Sequence, residues 1–245
     1  MKINILKPTI FQNYNVIAGA TETNYHLFAK GFSIFPAEIY NEDEVEYFRM
    51  ILANNLNLRR ENLIFQKQVH KDEIRIITKE NKFLIEDSDG MITNLKNTVL
   101  NVTIADCAGV LLYDKVNQAV GAFHSGWRGT QLNIISKGIR KMIEVFNSEP
   151  TNLLVWVSPC ASQKNYEVGI DVASFFTEKY LIQKAKDKFL LDFRGCIRDQ
   201  LINEGVKEKN IEISDICTIE DKRFHSYRRD RSLSARMSAF IGMLE

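Results

Sequence analysis

Short apolar runs and helix-spaced apolar residues alternate along this chain. Val16–Ala20 is an apolar run that predicts a strand. Glu42–Leu56 has helical patterning and follows Asn41, a suitable N-cap. Leu63–Gln66 and Ile74–Thr78 predict two strands, with Gln66 to Lys71 between them. Met91–Thr93, Leu100–Ala105 and Val110–Tyr113 follow as strands. The polar stretch Asp114–Gln118 then leads into a strand at Ala119–His124, which is a hairpin pattern. Leu132, Ile135, Ile139, Met142, Ile143 and Phe146 recur at helical spacing, so an amphipathic helix is expected over Gln131–Phe146. Leu153–Val157 reads as a short, fully apolar strand. Val172–Tyr180 and Asp192–Asn203 predict helices, the second stopped by Gly205. Ile211–Ser214 is a late strand.

Strands and helices are thus mixed, and the hairpin excludes a purely parallel sheet. The pattern predicts an α+β fold whose mixed or antiparallel sheet is covered by helices. No repeat, low-complexity tract or Pro/Gly/Ser linker divides the chain, so residues 1–245 read as a single domain. Hydrophobic residues make up 45%, enough for a substantial core and against disorder. The net charge of +1 argues against a mainly electrostatic nucleic-acid or membrane binder. No apolar run is long enough to span a bilayer, and the start reads as no secretory signal. Four well-separated cysteines, with no C-x-x-C, suit a reduced cytoplasmic protein better than a disulfide scaffold.

The densest chemistry lies in Asn101–Thr130. Cys107 follows an apolar strand and Asp106; His124 ends the next strand but one; His70 lies at or beyond another strand end. One thiolate and two imidazoles form a set that zinc accepts, and three protein ligands leave a fourth place open, as in catalytic sites. Two other readings stand beside it. Cys107 is a small buried hydrophobe with both histidines satisfied by hydrogen bonds, or Cys107 and His124 form a nucleophile pair in which Asp106 orients the imidazole. After His124, Gly126 and Gly129 permit tight backbone geometry ahead of a helix start, and Arg128 adds a cation suited to phosphate or carboxylate. The alternative there is a plain strand–helix turn. Asp87-Ser88-Asp89-Gly90 resembles part of a calcium loop but lacks the closing Glu, so a polar turn is expected, with acidic side chains able to face the cleft. The basic run around His225–Arg231 reads as a solvated face or, through its His, Tyr and three Arg, as a phosphate contact. Cys160 and Cys217 read as core thiols.

Several of these pieces occur together in one known family. They are Gln68-Val69-His70, Asp89-Gly90, Ala105-Asp106-Cys107, Val110-Leu111-Leu112, His124 through Gly129, Ser158-Pro159-Cys160, Tyr166 through Gly169, Cys217-Thr218 and Ser226 through Asp230. In this order, over about Gln66 to Glu245, the chain resembles the bacterial purine nucleoside phosphorylases once described as multicopper polyphenol oxidases, or laccases. The resemblance implies an α/β/β/α sandwich with mixed β-sheets, related to cytotoxic-necrotizing-factor-type hydrolases. It implies a catalytic Zn2+ held by His70, Cys107 and His124. It further implies phosphorolysis of adenosine, inosine, guanosine and methylthioadenosine, with deamination of adenosine. The expected partners are therefore purine nucleosides and phosphate, with Arg128 and Arg228 as phosphate contacts. Neither nucleic acid nor membrane is expected, and the chain is read as a monomer or weak homo-oligomer.

The older laccase description conflicts with counting. A blue-copper centre already takes two His and a Cys, and four His in all leave too few for a second, His-rich copper cluster. The chain also departs from the family pattern. Ala20–Tyr25 lacks the usual Arg, Lys71 replaces a Gly, Gly109 replaces a Pro and Ser125 replaces an Ala. None of these removes an expected ligand, but Ala20–Tyr25 is expected to border the cleft. Two rival functions follow. One is a Cys107-dependent amide hydrolase of peptidoglycan precursor editing; the other is a nucleoside-binding protein without turnover.

Overall fold

A strand that is apolar on both faces must be covered twice, and this requirement sets the layers of the molecule. The computed structural model describes residues 1–245. Strands β1 (Ile5–Leu6) and β2 (Val16–Thr21) precede helix α1 (Glu42–Asn55). Then come β3 (Leu63–Ile64), β4 (Ile74–Ile76), β5 (Gly90–Thr93), β6 (Thr98–Ile104), β7 (Ala108–Asp114) and β8 (Ala119–Ser125). Helices α2 (Trp127–Gln131) and α3 (Ile134–Phe146) lead to β9 (Leu153–Val157) and β10 (Glu167–Gly169). The single turn α4 (Ile170–Ala173), β11 (Leu181–Ala185), β12 (Lys188–Leu191) and α5 (Phe193–Asn203) follow. After them come β13 (Ile211–Ile213), the turn α6 (Tyr227–Asp230) and β14 (Met237–Met243).

The strands form a five-stranded sheet in the order β1-β2-β14-β6-β3 and a six-stranded sheet in the order β13-β9-β7-β8-β5-β4. A small three-stranded sheet, β10-β12-β11, stands apart. Side-chain alternation shows how the two large sheets stack. On β7, Leu111 and Tyr113 join a core that also holds Leu100, Val102 and Ile104 of β6 and Met237, Ala239 and Ile241 of β14. Val110 and Leu112, on the opposite face of β7, pack with Ile135, Ile139 and Met142 of α3 and Ile197 and Leu201 of α5. On the outer face of the five-stranded sheet, Val99 and Phe240 pack with Phe48, Ile51 and Leu52 of α1. The layers are therefore α, β, β and α, as the family resemblance implies. Both sheets are mixed: β7 pairs antiparallel with β8 and β9, whereas β13–β9, β3–β6 and β4–β5 are parallel.

Most of the sequence-derived elements lie where the patterning puts them. α1 has the expected Asn41 cap, whose side chain accepts from the Glu44 N–H while the Glu44 carboxylate accepts from the Asn41 N–H. The Asp114 carboxylate ties the β7–β8 turn by accepting from the Val116 and Asn117 N–H groups. Three differences are instructive. The helix expected over Gln131–Phe146 begins only at Ile134, because left-handed Asn133 (φ 60°) separates α3 from the preceding α2. The helix expected over Val172–Tyr180 is absent: Thr177 is extended, and only α4 and a 3₁₀ turn at Glu178–Tyr180 form. Val172, Phe176 and Tyr180 still pack on the core, so their helix-like spacing reflects separate turns meeting one surface. β14 carries Ser, Gly, Ala and Met and gives little strand signal, yet it is the middle strand of its sheet. No helix is long and apolar enough to cross a membrane, and all four cysteines are free thiols.

Candidate metal centre

His70, Cys107 and His124 come from three separate segments and converge. His70 sits in the loop after β3, in the left-handed region (φ 56°). Cys107 lies in the short β6–β7 connection, directly after Asp106, which is also left-handed (φ 82°). His124 is the penultimate residue of β8. Their ligand atoms all lie within 4.8 Å of one another, and the two imidazole rings meet edge to face. The Asp106 backbone is fixed by its own side chain, which accepts from Thr218 Oγ1 at 2.7 Å and the Arg228 N–H at 2.6 Å. Asp106 therefore aims Cys107 and does not orient the imidazole, contrary to the expectation for a thiol mechanism.

The orienting carboxylate is Asp89. It is fully buried, and its Oδ1 lies 2.8 Å from His124 Nδ1. The same carboxylate accepts from the backbone N–H groups of Val69, His70 and Lys71 at 2.8–3.1 Å. One side chain thus anchors the His70 loop and sets the His124 ring. With Nδ1 paired to Asp89, Nε2 of His124 faces Cys107, and loss of the Nε2 proton frees it as a ligand, the arrangement that metal-bound histidines adopt. The sequence marks Asp89 as part of a polar turn and of an Asp-Gly family motif; its role as the orienting carboxylate emerges from burial and pairing.

Electrostatics reinforce the cluster. Burial alone pushes the Cys107 thiol up. The His124 charge, the hydrogen bonds from His124 and His70, and the His70 charge outweigh it and bring the thiol down to about 6. Burial likewise disfavours the His124 cation, but Cys107 and Asp89 reverse this and raise its pKa. A thiolate is the form that ligates a metal. Gly126 supplies the space for it: a Cβ at this position would stand 2.7 Å from Cys107 Sγ. Neither remaining histidine joins the set. His225 is buried with Nε2 at 2.9 Å from the Phe32 carbonyl oxygen, and His26 is exposed. The donors therefore suit a single metal and leave no second cluster for a multicopper centre.

The three ligands lie in a cleft of about 600 Å³. Phe35 and Tyr227 provide aromatic walls, Glu38, Lys67 and Arg236 provide charge, and Gln66, Gln68, Thr103 and Ala105 line the remainder. Gln68 is internally satisfied, exchanging bonds with both backbone and hydroxyl of Thr103. Arg236 hydrogen-bonds through Nη1 to the Ser234 and Ala235 carbonyls, and its guanidinium lies over the Tyr227 ring, 5.4 Å from its centre. Ahead of Gln66 the wall is formed by Phe35 and Glu38; Ala20–Tyr25 does not line the cleft.

Arg128 and Arg228 also lie outside the lining residues. The exposed Arg128 guanidinium stacks 4.3 Å from the Trp127 ring centre, on an α2 only five residues long. The Arg228 guanidinium lies over Tyr166, and its Nη1 donates to the Glu167 carbonyl at 2.7 Å. Arg229, beside it, is structural, holding the carbonyls of Thr218 and Phe224. Cys160 and Cys217 are buried neighbours on a short parallel bridge, as core thiols should be.

Comparison with known proteins places this geometry in context. Residues 20–244 match the family model described as multi-copper polyphenol oxidoreductase laccase. The purine nucleoside phosphorylase YlmD of Bacillus subtilis is 28% identical, over 95% of this chain and 90% of its own length. A purine nucleoside phosphorylase of Clostridium acetobutylicum is 36% identical, over 72% of this chain and 75% of its own. The crystal structure of the Bacillus licheniformis hypothetical protein YfiH superposes with a TM-score of 0.90 at 26% identity, covering 98% of this chain and 96% of that one. The chain belongs to this laccase-described family and is a homologue of its bacterial purine nucleoside phosphorylases.

Proposed function

We propose that this chain is a zinc-dependent, cytoplasmic purine nucleoside phosphorylase that acts on adenosine, inosine, guanosine and methylthioadenosine and also deaminates adenosine. The observation that carries the proposal is the convergence of His70, Cys107 and His124 in one aromatic-walled cleft. The names of the relatives supply the substrate class. One thiolate and two imidazoles with an open fourth place match a catalytic zinc site. Zinc bound there supplies Lewis acidity beside the substrate.

The chain's own residues do the remaining work. Phe35 and Tyr227 offer faces for a planar base. Arg236 has Nε and Nη2 free for phosphate and no acidic side chain bonded to it. Arg128 and Arg228 are the outer phosphate contacts. Asp89 holds the His124 tautomer and the His70 loop through catalysis. The test is incubation of the zinc-loaded protein with inosine and adenosine, with and without phosphate, and separation of products by mass. Hypoxanthine and ribose 1-phosphate formed from inosine only with phosphate are expected, together with inosine from adenosine in both conditions. No product from either nucleoside overturns the proposal.

A second function has one observation in its favour. Cys107, His124 and Asp89 also have the order of a thiol–imidazole–carboxylate relay. An amide hydrolase working this way retains full activity after chelation, whereas the zinc enzyme loses it.

A further inference from the structure

The direction of Cys107 depends on the residue before it. Asp106 has φ 82°, a backbone conformation that a non-glycine residue rarely adopts. Three donors hold it there. Its carbonyl accepts from the Ala161 N–H at 2.9 Å. Its Oδ2 accepts from the Arg228 N–H at 2.6 Å, and its Oδ1 accepts from Thr218 Oγ1 at 2.7 Å. Only the Thr218 donor is a side chain, so this hold alone depends on residue identity. Thr218 is fully buried and sits 112 positions away along the chain. Its own main chain is fixed: the N–H donates to the Cys160 carbonyl at 3.2 Å, and the carbonyl accepts from Arg229 Nη1 at 2.7 Å. The hydroxyl is therefore presented from a firm support. Neither Thr218 nor Asp106 lines the cleft, so the hydroxyl reaches the centre only through the Asp106 turn.

Resting on the zinc function proposed above, we infer that Thr218 is a positioning residue for the thiolate ligand: through Asp106, its hydroxyl sets where the Cys107 sulfur stands relative to His70 and His124. Asp89 already holds the two imidazoles, and the Thr218–Asp106 strut does the same for the thiolate. Without the hydroxyl, a nearly buried carboxylate oxygen loses its partner. A buried acceptor left unpaired is unfavourable, and the turn that carries it relaxes.

The test compares wild type, Thr218→Val, Thr218→Ser and Asp106→Gly, each loaded with Zn2+ or with Co2+ as a spectroscopic stand-in. Competition with a chromogenic chelator gives metal affinity. The thiolate-to-cobalt absorption band reports the placement of the sulfur, and thermal melting of the metal-free protein verifies folding. Thr218→Val is expected to bind zinc about tenfold more weakly and to shift or weaken the cobalt band. Thr218→Ser keeps the hydroxyl and is expected to restore both. Asp106→Gly takes up the left-handed backbone freely but has no carboxylate, so it is expected to lose at least as much affinity as Thr218→Val. A Thr218→Val protein with wild-type affinity and band overturns the inference and leaves the zinc function standing. So does an Asp106→Gly protein with wild-type values, because the backbone conformation alone then suffices. Equal losses in Thr218→Val and Thr218→Ser with an unchanged band show a packing role and overturn it too. If Thr218→Val does not fold, the comparison of Thr218→Ser with Asp106→Gly decides: weaker binding by the glycine variant supports the strut, and equal binding overturns it. Wild type that binds neither metal overturns the zinc function and the inference together.

Discussion

Asp89 and His124 are bonded twice. The Asp89 carboxylate meets His124 Nδ1 at 2.8 Å, and the Asp89 carbonyl accepts from the His124 backbone N–H at 2.7 Å. Because the same carboxylate also holds the His70 loop, it controls two of the three ligands at once. Asp89→Asn is expected to weaken zinc binding about 10–100-fold, the usual cost of losing an outer partner of a metal-bound histidine. Competition with a chromogenic chelator measures this. An unchanged affinity would show that the ligand geometry stands without Asp89.

Cys107→Ala removes the only thiolate of the set. Two imidazoles alone hold zinc poorly, so metal and activity are expected to disappear together. Elemental analysis after dialysis and the inosine assay read the two losses. A zinc-replete, active variant contradicts the ligand assignment.

The thiol has its own signature. Burial raises the Cys107 pKa, but the two imidazoles lower it to about 6, well below the ordinary cysteine value of about 8.5. Thiolate is therefore present above roughly pH 6 in the metal-free protein and is lost as pH falls through that value. Alkylation of Cys107 by iodoacetamide, followed by mass spectrometry, should rise to half its limit near pH 6. Cys160, which burial pushes up to about 11, should remain unreactive across the same range. Zinc should protect Cys107 and leave the other thiols unaffected.

Gly126→Ala tests the tightness of the centre. The added methyl stands 2.7 Å from Cys107 Sγ, so either the sulfur or the start of α2 must move. A zinc affinity at least about tenfold weaker is expected, with little change in secondary structure by circular dichroism.

The phosphate contacts separate by position. Arg236→Ala, within the cleft, should raise the phosphate KM more than Arg128→Ala or Arg228→Ala, which lie outside the lining residues. Adenosine deamination, which uses no phosphate, should survive in Arg128→Ala. Equal phosphate KM values for all three variants and wild type would exclude these arginines from phosphate binding.

The sequence makes some of these residues visible and hides others for definite reasons. His70, Cys107 and His124 stand out because few residue types bind zinc and each lies near a strand end. The role of Asp89 is hidden because an Asp-Gly pair in a polar stretch has the composition of a turn, and only the folded chain shows the carboxylate fully enclosed. Strands β7, β8 and β9 are legible as apolar runs because both their faces are buried. β14 is equally buried but reads weakly, since its small residues are selected by close packing between β2 and β6 and not by intrinsic strand preference. Arg236 follows from that blind spot, because it immediately precedes the strand.

The placement of β14 also governs how fast the molecule can form. Its ladder with β2, tied by the Ser238 N–H to Thr21 Oγ1, joins residues 217 positions apart. No local nucleus reaches across that span. The five-stranded sheet closes only after a large loss of chain entropy, which places this protein among slow folders. Until closure, the inner apolar faces of β2 and β6 lie open, and the refolding yield should fall steeply with protein concentration as aggregation competes with that late step.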